Sequence, residues 1–201
     1  MFDMTAWVAR RMLYVMSAIV RPAQYEDLLR LPAHMTGEIL SGELHVQPRP
    51  SSRHARIETG LASGLFGPFD QGGGGPGGWI ILAEPELHLD VHVMVPDLAG
   101  WRRERLAEIP DGPITTVPDW ICEILSPSTA MKDRAIKLPL YGELGVKYAW
   151  IVDPAAKTVE ILRREGSHWI LLATHGNQDA MRAEPFDAVA LELGGLWPWQ
   201  T

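Results

Sequence analysis

Cysteine is nearly absent: Cys122 is the only one in 201 residues. That excludes an intramolecular disulfide framework and any Cys-rich zinc site, and it suits a reducing cytoplasm. Lysine is scarce as well. Lys132, Lys137, Lys147 and Lys157 are the full set, all in the second half. With 18 Lys and Arg against 25 Asp and Glu, the formal net charge is −7. The chain as a whole therefore lacks the basic footprint of a protein that tracks phosphates by charge alone. An acidic pocket around a divalent metal stays compatible, because the metal supplies positive charge locally. Long apolar runs are missing too. The longest, Met12 to Val20, has nine residues including Ser17, too short to span a bilayer as a helix, so no membrane partner is expected.

What is present is ordinary for a folded domain. The chain is 46% hydrophobic and 21% charged, with eight Trp, which excludes disorder as the main state. The length suits one α/β domain. Arg10 and Arg11 before the apolar run resemble a weak signal-peptide start, but Arg21-Pro22 follows with no small-residue cleavage pattern. Residues 1–20 are expected to form an N-terminal extension, with translation starting at Met1 or Met16. Residues 21–201 are expected to form a single domain.

Periodicity places the elements. Tyr25, Leu28 and Leu29 predict a short amphipathic helix over Pro22–Leu31. Glu38–Val46 carries a Ser-Gly centre between two apolar arms, a hairpin signal. Ile57, Leu61 and Leu65 recur every four residues, predicting a helix over Ser51–Phe66 capped by Ser51 or Ser52. Gly60 and Gly64 weaken that helix but permit close packing. The run DQGGGGPGG at residues 70–78 lacks the Lys and the spaced glycines of a phosphate cradle and reads as a connector. Leu87–Trp101 alternates so regularly that one long strand is expected. Leu87, Leu89, Val91, Val93 and Val95 line its buried face, and His88, Asp90, His92 and Met94 face solvent. Pro118–Leu125 reads as a nearly all-apolar central strand. Pro127–Leu144 predicts a helix interrupted at Pro139. Three short strands follow at Lys147–Asp153, Thr158–Arg164 and His168–Ala173, then an edge element around LELGGLW.

Carboxylates fall where they are costly. Counting in twos, Val91, Val93 and Val95 lead to Asp97, just past Pro96. Ile121, Glu123 and Leu125 share a face, so Glu123 lies between two apolar neighbours. An unpaired buried carboxylate costs several kcal/mol. Two in one sheet imply a cation, a shared proton or a metal. On the following helix Lys137 is placed to reach back over Glu123, while Lys132, five residues earlier, is expected on a different side of that helix. His88 and His92 with Asp90 between them offer a zinc ladder on paper, but a solvent-facing strand side is the simpler reading. Cys122 points away from Glu123 and reads as a buried, inert thiol.

At these residues the sequence resembles a known family. Pro96-Asp97, then EILSPST (Glu123–Thr129), then D-R-x-x-K (Asp133, Arg134, Lys137), then Y-x-x-x-G-V-x-Y-x-W-I-V-D-P (Tyr141–Pro154) is similar to the Uma-two family of putative restriction endonucleases, within the PD-(D/E)XK nuclease superfamily. Tyr25–Leu29 and Ser41–Leu44 match its opening. The resemblance implies an α/β fold, an α+β mixed sheet in a restriction-endonuclease-like core flanked by helices. It implies Mg²⁺ (or Mn²⁺) as cofactor and DNA as substrate, cut by metal-activated water. Carried over residue by residue, Asp97 and Glu123 are metal ligands, with the Ile124 carbonyl as a third oxygen. Lys137 positions the water, since the superfamily's usual Lys two residues after the Glu is replaced here by Leu125. Glu43 matches the early acidic position and would complete the catalytic set. His54 is an accessory neighbour.

Plainer readings stand beside these. Asp133 and Lys137 are also spaced as a surface ion pair, Asp97 as a turn former, Glu43 as a solvated hairpin side chain and His54 as a helix-surface histidine. A catalytically silent nuclease fold used for binding or assembly is one alternative function. A hydrolase of a smaller phosphate ester is another. A homodimer is open, with Trp197 and Trp199 as an apolar contact.

Overall fold

The computed structural model describes residues 21–177 and 179–197. The expected N-terminal extension and Trp199 lie outside the described residues. Helix α1 (Tyr25–Leu29) leads into a hairpin of β1 (Met35–Leu40) and β2 (Glu43–Pro48). The Ser-Gly centre makes the turn, because Ser41 (φ 52°) and Gly42 (φ 80°) both adopt the left-handed backbone that a tight hairpin needs. Helix α2 (Ser52–Leu65) is capped by Ser51, whose Oγ accepts the His54 N–H at 3.3 Å. Its buried stripe is the expected one, Ile57, Leu61 and Leu65. A Cβ at Gly60 would meet Leu196 Cδ2 at 2.7 Å, so the missing side chain is what admits the C-terminal segment against α2.

The long strand expected over Leu87–Trp101 is instead three short ones: β4 (Leu87–Leu89), β5 (His92–Met94) and β6 (Leu98–Arg102). Asp90 takes a positive φ of 55° and the chain doubles back, pairing Leu89 with His92. Val91 is consequently exposed at the turn, and beyond it the alternation breaks: Val93 and Met94 are both buried, although Met94 was expected to face solvent. His92 moves inward, is 8% exposed, and accepts the Ser41 N–H on Nδ1 at 2.9 Å. His88 lies edge-on to Tyr25 and bonds Glu86. The zinc ladder is therefore not formed.

Two sheets result. One has the order β2-β1-β5-β4. The other has six strands, β10-β9-β8-β7-β6-β3, with β3 (Trp79–Ala83), β7 (Trp120–Ile124), β8 (Tyr148–Asp153), β9 (Thr158–Glu165) and β10 (His168–Gly176). All its pairs are antiparallel except β7 with β8, which are parallel. A parallel pair needs a crossover, and the helical segment after β7 supplies it. A two-stranded ribbon, β11 (Ala180–Met181) with β12 (Leu191–Glu192), and a 3₁₀ turn at Leu193–Leu196 complete the described chain. This mixed α+β sheet is the architecture expected from the sequence.

Every residue of β7 is buried, because both its faces are covered. Trp120, Cys122 and Ile124 join Trp150, Phe186, α2 and the C-terminal segment in one core. Ile121 and Leu125 join Leu40, Leu140, Tyr141 and Ile151 in a second. Burial pushes the Cys122 thiol well up. Trp197 is 4% exposed in the first core and donates to the Asn177 carbonyl at 3.0 Å. It is thus an internal residue, not the external apolar contact expected of the tail.

The crossover is not the regular helix expected over Pro127–Leu144. A short turn, α3 (Ala130–Lys132), widens into a π-helical turn at Asp133–Lys137 before α4 (Leu138–Leu144). The Leu138 N–H donates to the Asp133 carbonyl, five residues back. Pro139 has no N–H for the next helical bond and sits in the first turn of α4. Among the described residues, no helix is long and apolar enough to cross a membrane.

Candidate active site

The wide turn decides which lysines face the site. On a regular helix, residues five apart point in different directions. A π turn, whose hydrogen bonds run i to i+5, turns less per residue and brings them closer to one direction. Lys132 and Lys137 accordingly converge on one carboxylate, Glu38. Lys137 Nζ lies 2.8 Å from Glu38 Oε1, 2.8 Å from Glu123 Oε1 and 3.1 Å from the Val95 carbonyl. Lys132 Nζ bonds Glu38 Oε2 and Gln47 Oε1. The reading of Asp133 and Lys137 as a solvated surface pair fails: they are 3% and 2% exposed. Setting Lys132 on another side of the helix fails for the same geometric reason.

Glu123 is the fourth residue of β7, next to Cys122, which pairs with Leu98 at the start of β6. Asp97 immediately precedes β6. Asp97 Oδ2 accepts the Ile124 N–H at 2.5 Å, and His54 Nε2 donates to Oδ1 at 2.8 Å. Tyr141 of α4 donates its hydroxyl to Glu123 Oε1 at 2.8 Å.

Asp97, Glu123, Ile124, Lys137 and His54 all line one cavity of about 240 Å³. Glu43 does not. It sits in the exposed β1–β2 hairpin, its side chain 82% exposed, 3.9 Å from His45. The acid that the hairpin does deliver is Glu38, which the sequence reading passed over. A signal for it existed: Glu38 shares a strand face with Leu40, which is 1% exposed, so an acid there is as anomalous as Glu123 is on β7.

Burial opposes ionisation throughout. For Glu38 the ammonium groups of Lys137 and Lys132 outweigh it and hold the carboxyl below its usual value. For Glu123 burial wins. With Lys137 shared and Asp133, Asp97 and Glu38 nearby, its carboxyl is held well above the usual range. Lys137 stays charged, burial being offset by Glu123 and Glu38. Five carboxylates line the cavity, Glu38, Glu84, Asp97, Glu123 and Asp133, against the cations Lys137 and Arg49 and the imidazole of His54. A further cation beside Asp97 and Glu123 would make Glu123 easier to ionise, and hard oxygen donors suit Mg²⁺ or Mn²⁺. Among the described residues, no group of three or more His, Cys, Asp or Glu side chains is arranged to hold a metal. Two carboxylates with water and substrate phosphate filling the other positions is a normal way to bind Mg²⁺. The residues fit the group on those terms.

A titratable cluster borders this site. Glu58 is held up to about 7, by burial first and then by Glu84 and Asp97. Burial lowers His54, but the hydrogen bond and charge of Asp97 raise it above its ordinary value. An acid whose folded-state pKa exceeds its unfolded one binds more protons when folded. Stability therefore falls as pH rises from the ordinary 4.5 through about 7. The raised His54 adds stability that is full below its ordinary 6.5 and lost as pH climbs through its folded value. In Glu58→Gln, the melting temperature should decline less between about pH 5 and 6.5 than in the parent. An unchanged slope would show that Glu58 does not set it.

A family model described as a putative restriction endonuclease matches residues 22–194. No curated protein matches the chain. Among solved structures, a putative nuclease from Anabaena variabilis aligns with a TM-score of 0.68 at 22% identity, covering 89% of this chain and 99% of its own. At that identity the likeness speaks for the fold.

Proposed function

We propose that this chain, which belongs to the Uma-two family described as putative restriction endonucleases, is an endonuclease that hydrolyses DNA with a divalent metal, Mg²⁺ or Mn²⁺. The observation that carries the reading is that Asp97, just before β6, and Glu123 of β7 line one cavity, with the Lys137 ammonium 2.8 Å from Glu123.

When bound, such a metal supplies Lewis acidity at the scissile phosphate and lowers the pKa of an attacking water. The chain's own residues do the rest. Asp97 and Glu123 provide the carboxylate oxygens, and the Ile124 carbonyl is the third oxygen in reach of the same pocket. His54 and the Ile124 N–H each hold one Asp97 oxygen, fixing the direction of the carboxylate. Tyr141 does the same for Glu123. Lys137 supplies positive charge where negative charge develops on the phosphate. Glu43, exposed and outside the cavity, has no part in this scheme, and Glu38 takes the place of the hairpin acid. The acidic balance of the protein fits a site whose affinity for phosphate depends on bound metal. A single buried cysteine is compatible with work in the cytoplasm.

The test is cleavage of supercoiled plasmid DNA by the full chain. Nicking or linearisation is expected with Mg²⁺ or Mn²⁺ and none after chelation. Absence of cleavage with either metal, or cleavage that survives chelation, would refute the reading.

A further inference from the structure

We infer that the Lys137 ammonium is an internal cation that holds Glu123 in the metal-free protein, yields Glu123 when a divalent ion binds, and stays tethered to Glu38 throughout; this rests on the metal-dependent reading above. An ammonium has three N–H donors and no acceptor. Lys137 Nζ has three oxygen acceptors, Glu38 Oε1 and Glu123 Oε1 at 2.8 Å and the Val95 carbonyl at 3.1 Å. Each N–H is therefore spoken for, and none is left to meet a phosphate.

The two carboxylates beside Lys137 are not equivalent. Glu38 is saturated. Its Oε1 also accepts the Val95 N–H at 2.8 Å, and its Oε2 takes Lys132, which Gln47 holds in turn. A carboxylate so enclosed is a fixed anchor and has little left to offer a metal. Glu123 is held through Oε1 by Lys137 and Tyr141 and lines the same cavity as Asp97. Glu123 is thus where an incoming cation meets the ammonium. An ammonium and a divalent ion on one carboxylate in a buried setting repel strongly. Lys137 gives way, swings on its Glu38 tether and exposes one N–H to the cavity. The lysine would then become available to phosphate only once the site carries metal.

The experiment is Mn²⁺ binding by calorimetry to the full chain and to Lys137→Met. With the competing ammonium gone, the variant should bind Mn²⁺ at least about ten-fold more tightly, within the usual range of coupling between two sites. Equal or weaker binding by the variant overturns the inference. Because Lys137→Met leaves Glu38 and Glu123 without the ammonium between them, the parent protein is read as well. In ¹⁵N NMR, the Lys137 ammonium signal should shift on saturation with Mg²⁺ while that of Lys132 stays. A Lys137 signal unmoved by saturating Mg²⁺ overturns it again. If parent and variant bind Mn²⁺ equally, the metal-dependent reading stands and this inference alone fails. If neither binds, both fail together.

Discussion

Glu123→Gln should cleave plasmid DNA at least about 10²-fold more slowly than the parent, while melting at nearly the same temperature. The two halves of that expectation have separate causes. Glutamine keeps an oxygen to accept from Tyr141 and Lys137, which now contact Glu123 Oε1 at 2.8 Å. Burial already penalises the ionised carboxylate, so a neutral amide there costs the fold little, within about 1 kcal/mol. The amide has no negative charge for a divalent ion, and it is the charged form that a metal needs. Initial rates in Mg²⁺, read beside thermal unfolding, separate the two. Activity within a few-fold of the parent would remove Glu123 from the chemistry. A collapse in melting temperature would make it a structural residue.

Trp150→Ala acts on the opposite layer and should be the costlier change to the fold. Trp150 is fully buried, edge-on to Trp120 at 5.2 Å and to Phe186 at 5.6 Å, and its indole N–H donates to the Glu184 carbonyl at 2.7 Å. Removing a buried aromatic of this size costs about 3–5 kcal/mol, lost contact and residual cavity together. For a domain of this length that is a fall of roughly 6–20 °C in melting temperature. Calorimetry or circular dichroism reads it directly. A fall of less than about 2 °C would show that the cluster around Phe186 repacks and does not anchor β8.

How far the sequence revealed this molecule depended on how local the deciding interactions are. β7 was legible because a run as apolar as WICEIL makes its one carboxylate conspicuous, and strand parity assigned the Glu123 face correctly. The helix under Ile57, Leu61 and Leu65 was legible for a similar reason, its period being strong and its serine cap adjacent. The alternation across Leu87–Val95 misled because a two-residue turn preserves the period of two. Nothing in the pattern marks Asp90 as the point where the chain reverses. Glu38 went unread because its reason for being buried lies 94 residues away at Lys132. The family-like acid at Glu43, immediately after the turn, drew the assignment to the exposed arm. Lys132 was set aside by counting on a regular helix, and no local feature besides Pro139 announces that the turn is wider.

That wider turn loosens the spacing at which the two lysines can meet. A π turn is an α-helix carrying one residue more than its bonds require. Deleting a single residue between Asp133 and Lys137 would relax the segment to an ordinary helix with the lysines four apart. Each residue turns a regular helix by about 100°, so at that spacing the two side chains still share one face. Homologous chains that keep Asp97, Glu123 and both lysines but are one residue shorter here would keep the convergence on Glu38 at a different spacing. Alignments that judge the site by a fixed motif spacing would pass over that equivalence.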